Sequence, residues 1–510
     1  MKKYLVVVLA GMLLIVSCKK TNMGTDEQAA PEKYSAQQID AFIRQTIAVD
    51  NKFEWSSATD DMIWSALQES DNVLSVGYKP ADISAGSIKL ESVNINDSKW
   101  TSARNEVLNI ILAEEQKLDK RITISSIMQW EENVLPVIDI RVNNFSTIKK
   151  LRASNLVRYA EPMGYEPKEV TAKTLSSSGC GSNVAEPGLI EGVDYKTILP
   201  ATKESWNYQY HKISNAWAKS TGAGVKVFIV DTGCEFDQEN LGSAFNQGNS
   251  SGRTVEKIVT LPRSTFLGIP TGPVETPDDG CGHGTSMAGA CAAPRGTDGA
   301  ACGVAYNCNL VVCRAAADVY MDESREVKGA SDAFTNAANR ADVRIISMSM
   351  GKITSSSQLS DAIEYAYGKG KLIFCAAGTS FSWSAGWFGV IFPANMAHVN
   401  AVTGVRDNNF NTNCTDCHNG SETDFTVVME KASNGRHPIT LAMSGDAPST
   451  VGGSSVSTAT TAGIAALVWS RFPSYTRDQV LTKLIQSSSN YPTRNSLYGW
   501  GNINADAATN

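Results

Sequence analysis

The chain has 510 residues, 42% of them hydrophobic and 19% charged, with a formal net charge of −7. This balance supports a large folded core and excludes wholesale disorder. No long basic run appears, so the sequence lacks the electrostatic footprint of a nucleic-acid binder.

At the N-terminus, Lys2 and Lys3 precede the apolar run 4-YLVVVLAGMLLIV-16, followed by Ser17-Cys18. The run is short for a membrane span and reads as the core of a signal peptide. Ile15-Val16-Ser17-Cys18 resembles the lipobox of bacterial lipoproteins. That resemblance implies removal of residues 1–17, acylation of Cys18 and a lipid anchor to a membrane. The plainer alternative is an ordinary signal peptide with a chance cysteine. Residues 18–86 read as a polar tether followed by a helical region, with helical apolar spacing at 36–50 and 60–70. Residues 87–165 then read as six elements. They are a strand near 87–95, a helix near 103–118, strands near 122–130 and 135–142, a helix near 145–153 and a strand near 156–161. This β-α-β-β-α-β order is an α+β, ferredoxin-like arrangement. Prolines, glycines and a serine triplet break the pattern over 166–200. From 201 to 510, short β-branched runs such as 225-VKVFIV-230, 310-LVVC-313, 343-VRIISMSM-350 and 371-KLIFCAA-377 alternate with helical stretches. Continuous apolar strands between helices predict an α/β fold, a parallel sheet with helices on both faces.

Three motifs carry chemistry in this second half. In 227-VFIVDTG-233 a buried strand ends in Asp231 and a tight turn. In 279-DGCGHGTSMAGACAA-293, His283 lies between glycines before an apolar helix. In 452-GGSSVSTATTAGIAALV-468, Ser454 and Ser455 enter an alanine-rich helix. Each has a structural reading alone: a strand-end acid, a core histidine, a helix cap. Together they are the three groups of nucleophilic catalysis. A serine hydroxyl needs an imidazole to take its proton, and the imidazole needs a carboxylate to fix its tautomer. Strand ends and helix N-termini of a parallel sheet are where such groups collect.

The order Asp, His, Ser and the local motifs resemble the subtilisin-like serine peptidase (subtilase) family. The matching residues are Asp231-Thr232-Gly233, Gly282-His283-Gly284-Thr285 and Gly453-Ser454-Ser455-Val456-Ser457-Thr458. The segments 216–233, 303–315 and 498–508 extend the likeness over the second half. The resemblance implies Ser455 as nucleophile, His283 as general base and acid, and Asp231 as orienting carboxylate. It implies that Ser349, Met350 and Gly351 pair with extended substrate. It also places Ala376, Ala377 and Gly378 at the pocket for the side chain before the scissile bond. By the same resemblance residues 87–165 look like an inhibitory propeptide, with 166–200 as the region of its cleavage; the plainer alternative is a permanent accessory domain. The expected partners are a polypeptide substrate, the chain's own propeptide and a lipid anchor, in an exported, cell-envelope or cell-surface protein that propeptide cleavage can release.

One departure bears on the chemistry. The family has asparagine after Ala-Ala-Gly, donating its amide to the oxyanion; here Thr379 stands there. The other donor would be the backbone N–H of Ser455, at a helix N-terminus. A threonine offers one hydroxyl on a shorter arm. This leaves two readings: a working endopeptidase, or a weakened or silent peptide-binding lipoprotein.

Ten cysteines follow Cys18, and export permits disulfides among them. Several lie in apolar runs where free buried thiols are equally reasonable. Cys414-x-x-Cys417-His418 also fits a c-type haem attachment pattern, against a local disulfide or paired thiols. No cofactor is required by the triad. Asp237, Glu239 and Asn240 are candidates for structural calcium, without EF-hand spacing. His211, His398 and His437 read as surface or packing residues.

Overall fold

The computed structural model describes residues 30–168, 180–181, 183–266, 269–379 and 389–510. The signal segment, Cys18, most of the linker's first part and most of the loop after Thr379 lie outside the described residues.

The second half is built on seven parallel strands. In spatial order they are Thr423–Glu430, Asn400–Arg406, Leu372–Ala376, Val343–Met348, Lys226–Asp231, Asn309–Arg314 and Val255–Val259. Strand side chains alternate between faces, which divides the core in two. Val227 and Ile229 pack with Val456, Ala459 and Ile464 of helix Gly453–Arg471. Phe228 and Val230 pack on the other face with Phe334 and Ile363, from helices Ser324–Asn339 and Ser357–Gly368. Burial on both faces explains why these strands are apolar throughout rather than alternating. Helix Gly453–Arg471 is buried along most of its length, and its small residues let it approach its neighbours. A Cβ on Gly463 would lie 2.7 Å from Cβ of Val304.

The first half forms a four-stranded antiparallel sheet in the order Met128–Trp130, Val137–Arg141, Val73–Tyr78, Val157–Pro162. With helices Ser98–Glu115 and Phe145–Arg152 this is the β-α-β-β-α-β order read from sequence. Its first strand is elsewhere, however. The stretch expected as a strand near 87–95 holds two 3-10 turns, Ala85–Ser87 and Leu90–Ser92, and of its alternating apolar residues only Leu90 is buried. The central strand is 73-VLSVGY-78, buried at every position. Its continuous burial gave no alternation to detect, whereas 87–95 alternates without burying a face. Part of 122–130 is also helical: Thr123 caps a turn at Ile124–Ile127 before the short strand begins. Helices Ala36–Asp50 and Asp60–Glu69 fall where helical spacing put them. Their apolar residues Ile39, Ile43, Met62 and Ile63 belong to this domain's core rather than to a tether.

The antiparallel sheet docks on helices Ser324–Asn339 and Ser357–Gly368. Arg158 forks onto both Asp361 oxygens at 2.9 and 2.6 Å, a charge-assisted bidentate pair. Lys328 reaches Glu132 at 3.1 Å, and Gln358 accepts from the Ser75 hydroxyl at 2.9 Å and donates to Asp139 at 3.0 Å. Val73, Leu135, Val137 and Met163 extend the second half's core through this contact.

Candidate active site

Asp231 ends its strand and His283 begins helix His283–Ala292. The His283 Nδ1–H donates to Asp231 Oδ1 at 2.7 Å, with both residues buried. Burial alone would depress the imidazole pKa. The Asp231 carboxylate, by charge and hydrogen bond, outweighs it and holds His283 above its ordinary 6.5. The glycine after His283 has a steric reason: a Cβ on Gly284 would lie 2.3 Å from the Gly233 carbonyl oxygen. The turn after Asp231 and the first turn of the histidine helix therefore touch backbone to backbone.

A second carboxylate fixes this junction. Asp279 is fully buried and accepts from the N–H groups of Cys281, Gly282 and Thr285 at 3.1, 2.8 and 2.8 Å. It also accepts the hydroxyls of Thr285 at 2.7 Å and Thr232 at 2.8 Å. Thr232 Oγ1 in turn accepts the Gly284 N–H at 2.9 Å. Asp279 thus satisfies the helix's unpaired first-turn donors while tying the helix to the residue after Asp231. The sequence reading missed it. An aspartate four residues ahead of His283, at the start of an apolar helix, is a capping signal that could have found it.

Ser455 lies in the first turn of helix Gly453–Arg471. Its hydroxyl donates to the Ser349 carbonyl at 3.5 Å, and the Ser349 hydroxyl donates back to the Ser455 carbonyl at 3.1 Å. It makes no hydrogen bond to His283. Ser349, Met350, Gly351, Ala376, Gly378 and Thr379 line one small pocket together with Ser455. Ala377 stands apart in the core, its N–H on the Val402 carbonyl at 2.9 Å and its carbonyl taken by the Ile391 N–H at 3.0 Å. The Thr379 hydroxyl faces Ser454. Thr379 Oγ1 accepts the Ser454 N–H at 3.3 Å and lies 3.0 Å from the Ser454 hydroxyl, which accepts the Gly378 N–H at 3.2 Å.

A sequence profile of the subtilase family matches residues 222–501. The chain belongs to the subtilase family. Among curated subtilase relatives, the thermostable alkaline protease of Halalkalibacterium halodurans is 31% identical over 231 residues, 45% of this chain and 58% of its own. Subtilisin E of Bacillus subtilis is 29% identical over 289 residues, 56% of this chain and 66% of its own. For several of these relatives the chain thus spans about three-fifths to two-thirds of their length. Among solved structures, MycP1 from Mycobacterium smegmatis aligns at a TM-score of 0.45 and 20% identity, over 62% of this chain and 88% of that one. The seven-stranded parallel sheet and the profile match together give the subtilase α/β fold.

The remaining candidates resolve as follows. Cys414 and Cys417 form a disulfide with each other, so the Cys-x-x-Cys-His pattern does not present two thiols for haem attachment. A second disulfide joins Cys180 to Cys281, two residues before His283. Cys234, Cys291, Cys302, Cys308, Cys313 and Cys375 are free and buried. His211 is buried and structural: its Nδ1 lies 3.0 Å from the Ile503 carbonyl and its Nε2 accepts the Val428 N–H at 3.1 Å. His398 stacks on Tyr367 with Glu364 at 2.7 Å. His437, half-buried, reaches the Met429 carbonyl from its Nδ1 at 3.0 Å. Asn240 is engaged by protein groups, accepting from Gln247 and donating to Asp446, while Glu239 has its pKa raised by a hydrogen bond and charge from Asp446. Among the described residues no group of three or more His, Cys, Asp or Glu could hold a metal ion. No described helix is long and apolar enough to cross a membrane.

Proposed function

We propose that the chain is a serine endopeptidase acting on polypeptides through Asp231, His283 and Ser455. The observation that carries this reading is the buried 2.7 Å contact between His283 and Asp231, in a subtilase whose third motif places Ser455 at a pocket. Asp231 holds the proton on Nδ1, leaving Nε2 unprotonated and able to accept the serine proton. Ser455 attacks the scissile carbonyl as its proton passes to His283, which returns it to the leaving amine. Water then attacks the acyl-enzyme by the same route.

Charge developing on the carbonyl oxygen needs donors already in place. The Ser455 N–H at the helix N-terminus is one. Thr379 is the other, with Ser454 as its positioning residue. When Ser454 donates its hydroxyl proton to Thr379 Oγ1, the single Thr379 proton is left for the oxyanion. The Gly378 N–H on Ser454 Oγ polarises that chain of hydroxyls further.

The antiparallel domain docked on the two surface helices acts as an intramolecular inhibitor, removed by cleavage in the 166–200 region. The N-terminal segment directs export, and Cys18 carries a lipid that anchors the chain to a membrane until that cleavage. Labelling with a fluorophosphonate probe, comparing the wild type with Ser455→Ala, tests the reading. The expected result is a covalent adduct on the wild type only, with N-terminal mapping of the labelled form inside 166–200. A wild type that stays unlabelled and uncut would sink it and favour the silent, peptide-binding alternative that Thr379 raises.

A further inference from the structure

The pocket at Ser455 is small, about 50 Å³, and two glycines lie in its walls. Gly351 forms one wall and Gly378 another, and Ile391 stands between them. A Cβ on Gly351 would meet Ile391 Cδ1 at 2.6 Å, and one on Gly378 would meet Ile391 Cγ1 at 3.1 Å. His418 closes the Gly378 side, with its Nδ1 2.5 Å from the same Cβ position. This floor is fixed by the walls themselves. The Ile391 N–H donates to the Ala377 carbonyl at 3.0 Å, and the Lys352 N–H donates to the Phe392 carbonyl at 3.0 Å. Burial depresses the His418 pKa to about 4, so the floor is uncharged at neutral pH.

We propose that Ile391 determines specificity, restricting the residue before the scissile bond to glycine, alanine or serine. This rests on the peptidase reading above. A branched side chain seated between two glycine walls takes the volume a larger substrate side chain needs, and close-packed, hydrogen-bonded walls do not yield that space cheaply. One surplus methylene in such a pocket costs roughly 10- to 200-fold. The test compares kcat/KM on tetrapeptide anilides ending in alanine, leucine or phenylalanine, for wild type and variant after removal of the N-terminal domain. The wild type is expected to favour alanine over phenylalanine by about 100-fold or more. Ile391→Ala is expected to shrink that ratio at least about tenfold by raising the phenylalanine rate. Fluorophosphonate labelling of the variant reports an intact site, and Ile391→Val, with one carbon less, shifts the ratio in the same direction by less. A wild type that prefers phenylalanine, or a labelled Ile391→Ala with an unchanged ratio, overturns the proposal and leaves the peptidase standing. Absence of both labelling and cleavage takes down the two together.

The groove leading to this pocket is shut. An extended peptide added to the Ser349–Gly351 edge needs that edge's main-chain groups. Here Gly351 uses both on the facing rim: its N–H donates to the Val319 carbonyl at 3.1 Å, and its carbonyl accepts the Met321 N–H at 3.0 Å. One carboxylate from the N-terminal domain grips both rims. Glu166, 3% exposed, accepts the Tyr320 hydroxyl on one side. On the other it accepts the N–H groups of Ile353 and Thr354 at 2.9 and 3.2 Å and the Thr354 hydroxyl, with Lys352 Nζ at 3.3 Å. Just beyond Glu166 the chain turns back to its own domain. The Lys168 N–H donates to Asp40 at 3.1 Å, and its ammonium pairs with Glu69.

We infer that Glu166 is a latch. While the N-terminal domain is docked it holds the rims in contact and denies extended peptide the edge; departure of the domain withdraws the carboxylate and frees both rims. Two probes of Ser455 separate this from general inactivity. A small fluorophosphonate needs no strand pairing, whereas a tetrapeptidyl phosphonate does. In the intact 510-residue chain the peptidyl probe is expected to react at least about tenfold slower than after domain removal, with the small probe nearly unchanged. Glu166→Gln is expected to raise the peptidyl rate of the intact chain severalfold and leave the small-probe rate alone. Tyr320→Phe, which removes one arm of the grip, is expected to act in the same direction by less. Equal peptidyl rates in wild type and both variants overturn the latch. So does a rise of both probes together, which signals loosening of the whole site.

Discussion

The two sides of the site are held by different physics. On the His283 side, two buried carboxylates organise everything. Asp231 fixes the imidazole, and Asp279 collects five donors around the start of its helix. On the Ser455 side no charge takes part. Thr379, Ser454, Ser455 and Ser349 share hydroxyls and carbonyls at 3.0–3.5 Å. A buried carboxylate without its donors is costly, so the first side is locked into one geometry. A hydroxyl can rotate to another partner at little cost, so the second side is set by which proton points where. In the proposed mechanism the charged side holds the base and the hydroxyl side faces the substrate.

Breaking the charged side should cost most. Asp231→Asn is expected to lower kcat by about 10⁴-fold with a small change in KM, because the imidazole tautomer is no longer fixed. A loss below about tenfold would show that another group orients His283. On the hydroxyl side, Thr379→Val removes the donor and nearly keeps the shape. A fall in kcat of about 100- to 1000-fold is expected, with KM little altered. If the rate holds, another group meets the oxyanion and Thr379 belongs to the wall. Asp279→Ala leaves five donors without their acceptor and should lower stability by about 3 kcal/mol or more, read as a drop in Tm. Ser454→Ala tests the hydroxyl relay through kcat, expected down about tenfold.

The smallest effect concerns pH. Asp231 raises the His283 pKa, so the imidazole stays protonated, and unable to accept the serine proton, up to a pH above 6.5. Activity should therefore fall as pH drops through that point. In Asp231→Asn the raising charge is gone, and the residual activity should lose its acid limb at a lower pH. A limb that does not move would contradict the coupling.

The two sides were also unequally legible in the sequence. Asp231 and His283 sit in turns whose glycines are demanded by backbone contact, so a few adjacent letters carry the geometry. Thr379 stood out only as a departure. The direction of its hydroxyl follows from Ser454, 75 residues further along the chain. The first half shows the same contrast. Helices 36–50 and 60–69 have a polar face and were readable from spacing. The strand 73–78 is buried at every position and shows no alternation, whereas 87–95 alternates yet packs little.

What the sequence by itself determined is whatever is local: the parallel sheet from continuous apolar strands, the family from three short motifs, and Asp231, His283 and Ser455 as candidates at strand and helix ends. What only the tertiary structure decided joins distant parts of the chain. Glu166 reaches Tyr320 across 154 residues and Ile353 across 187, and Ile391 fills a space whose walls come from two other segments. Such contacts depend on where whole layers pack, and neither periodicity nor motif spacing encodes the distance between a rim and the domain that closes it.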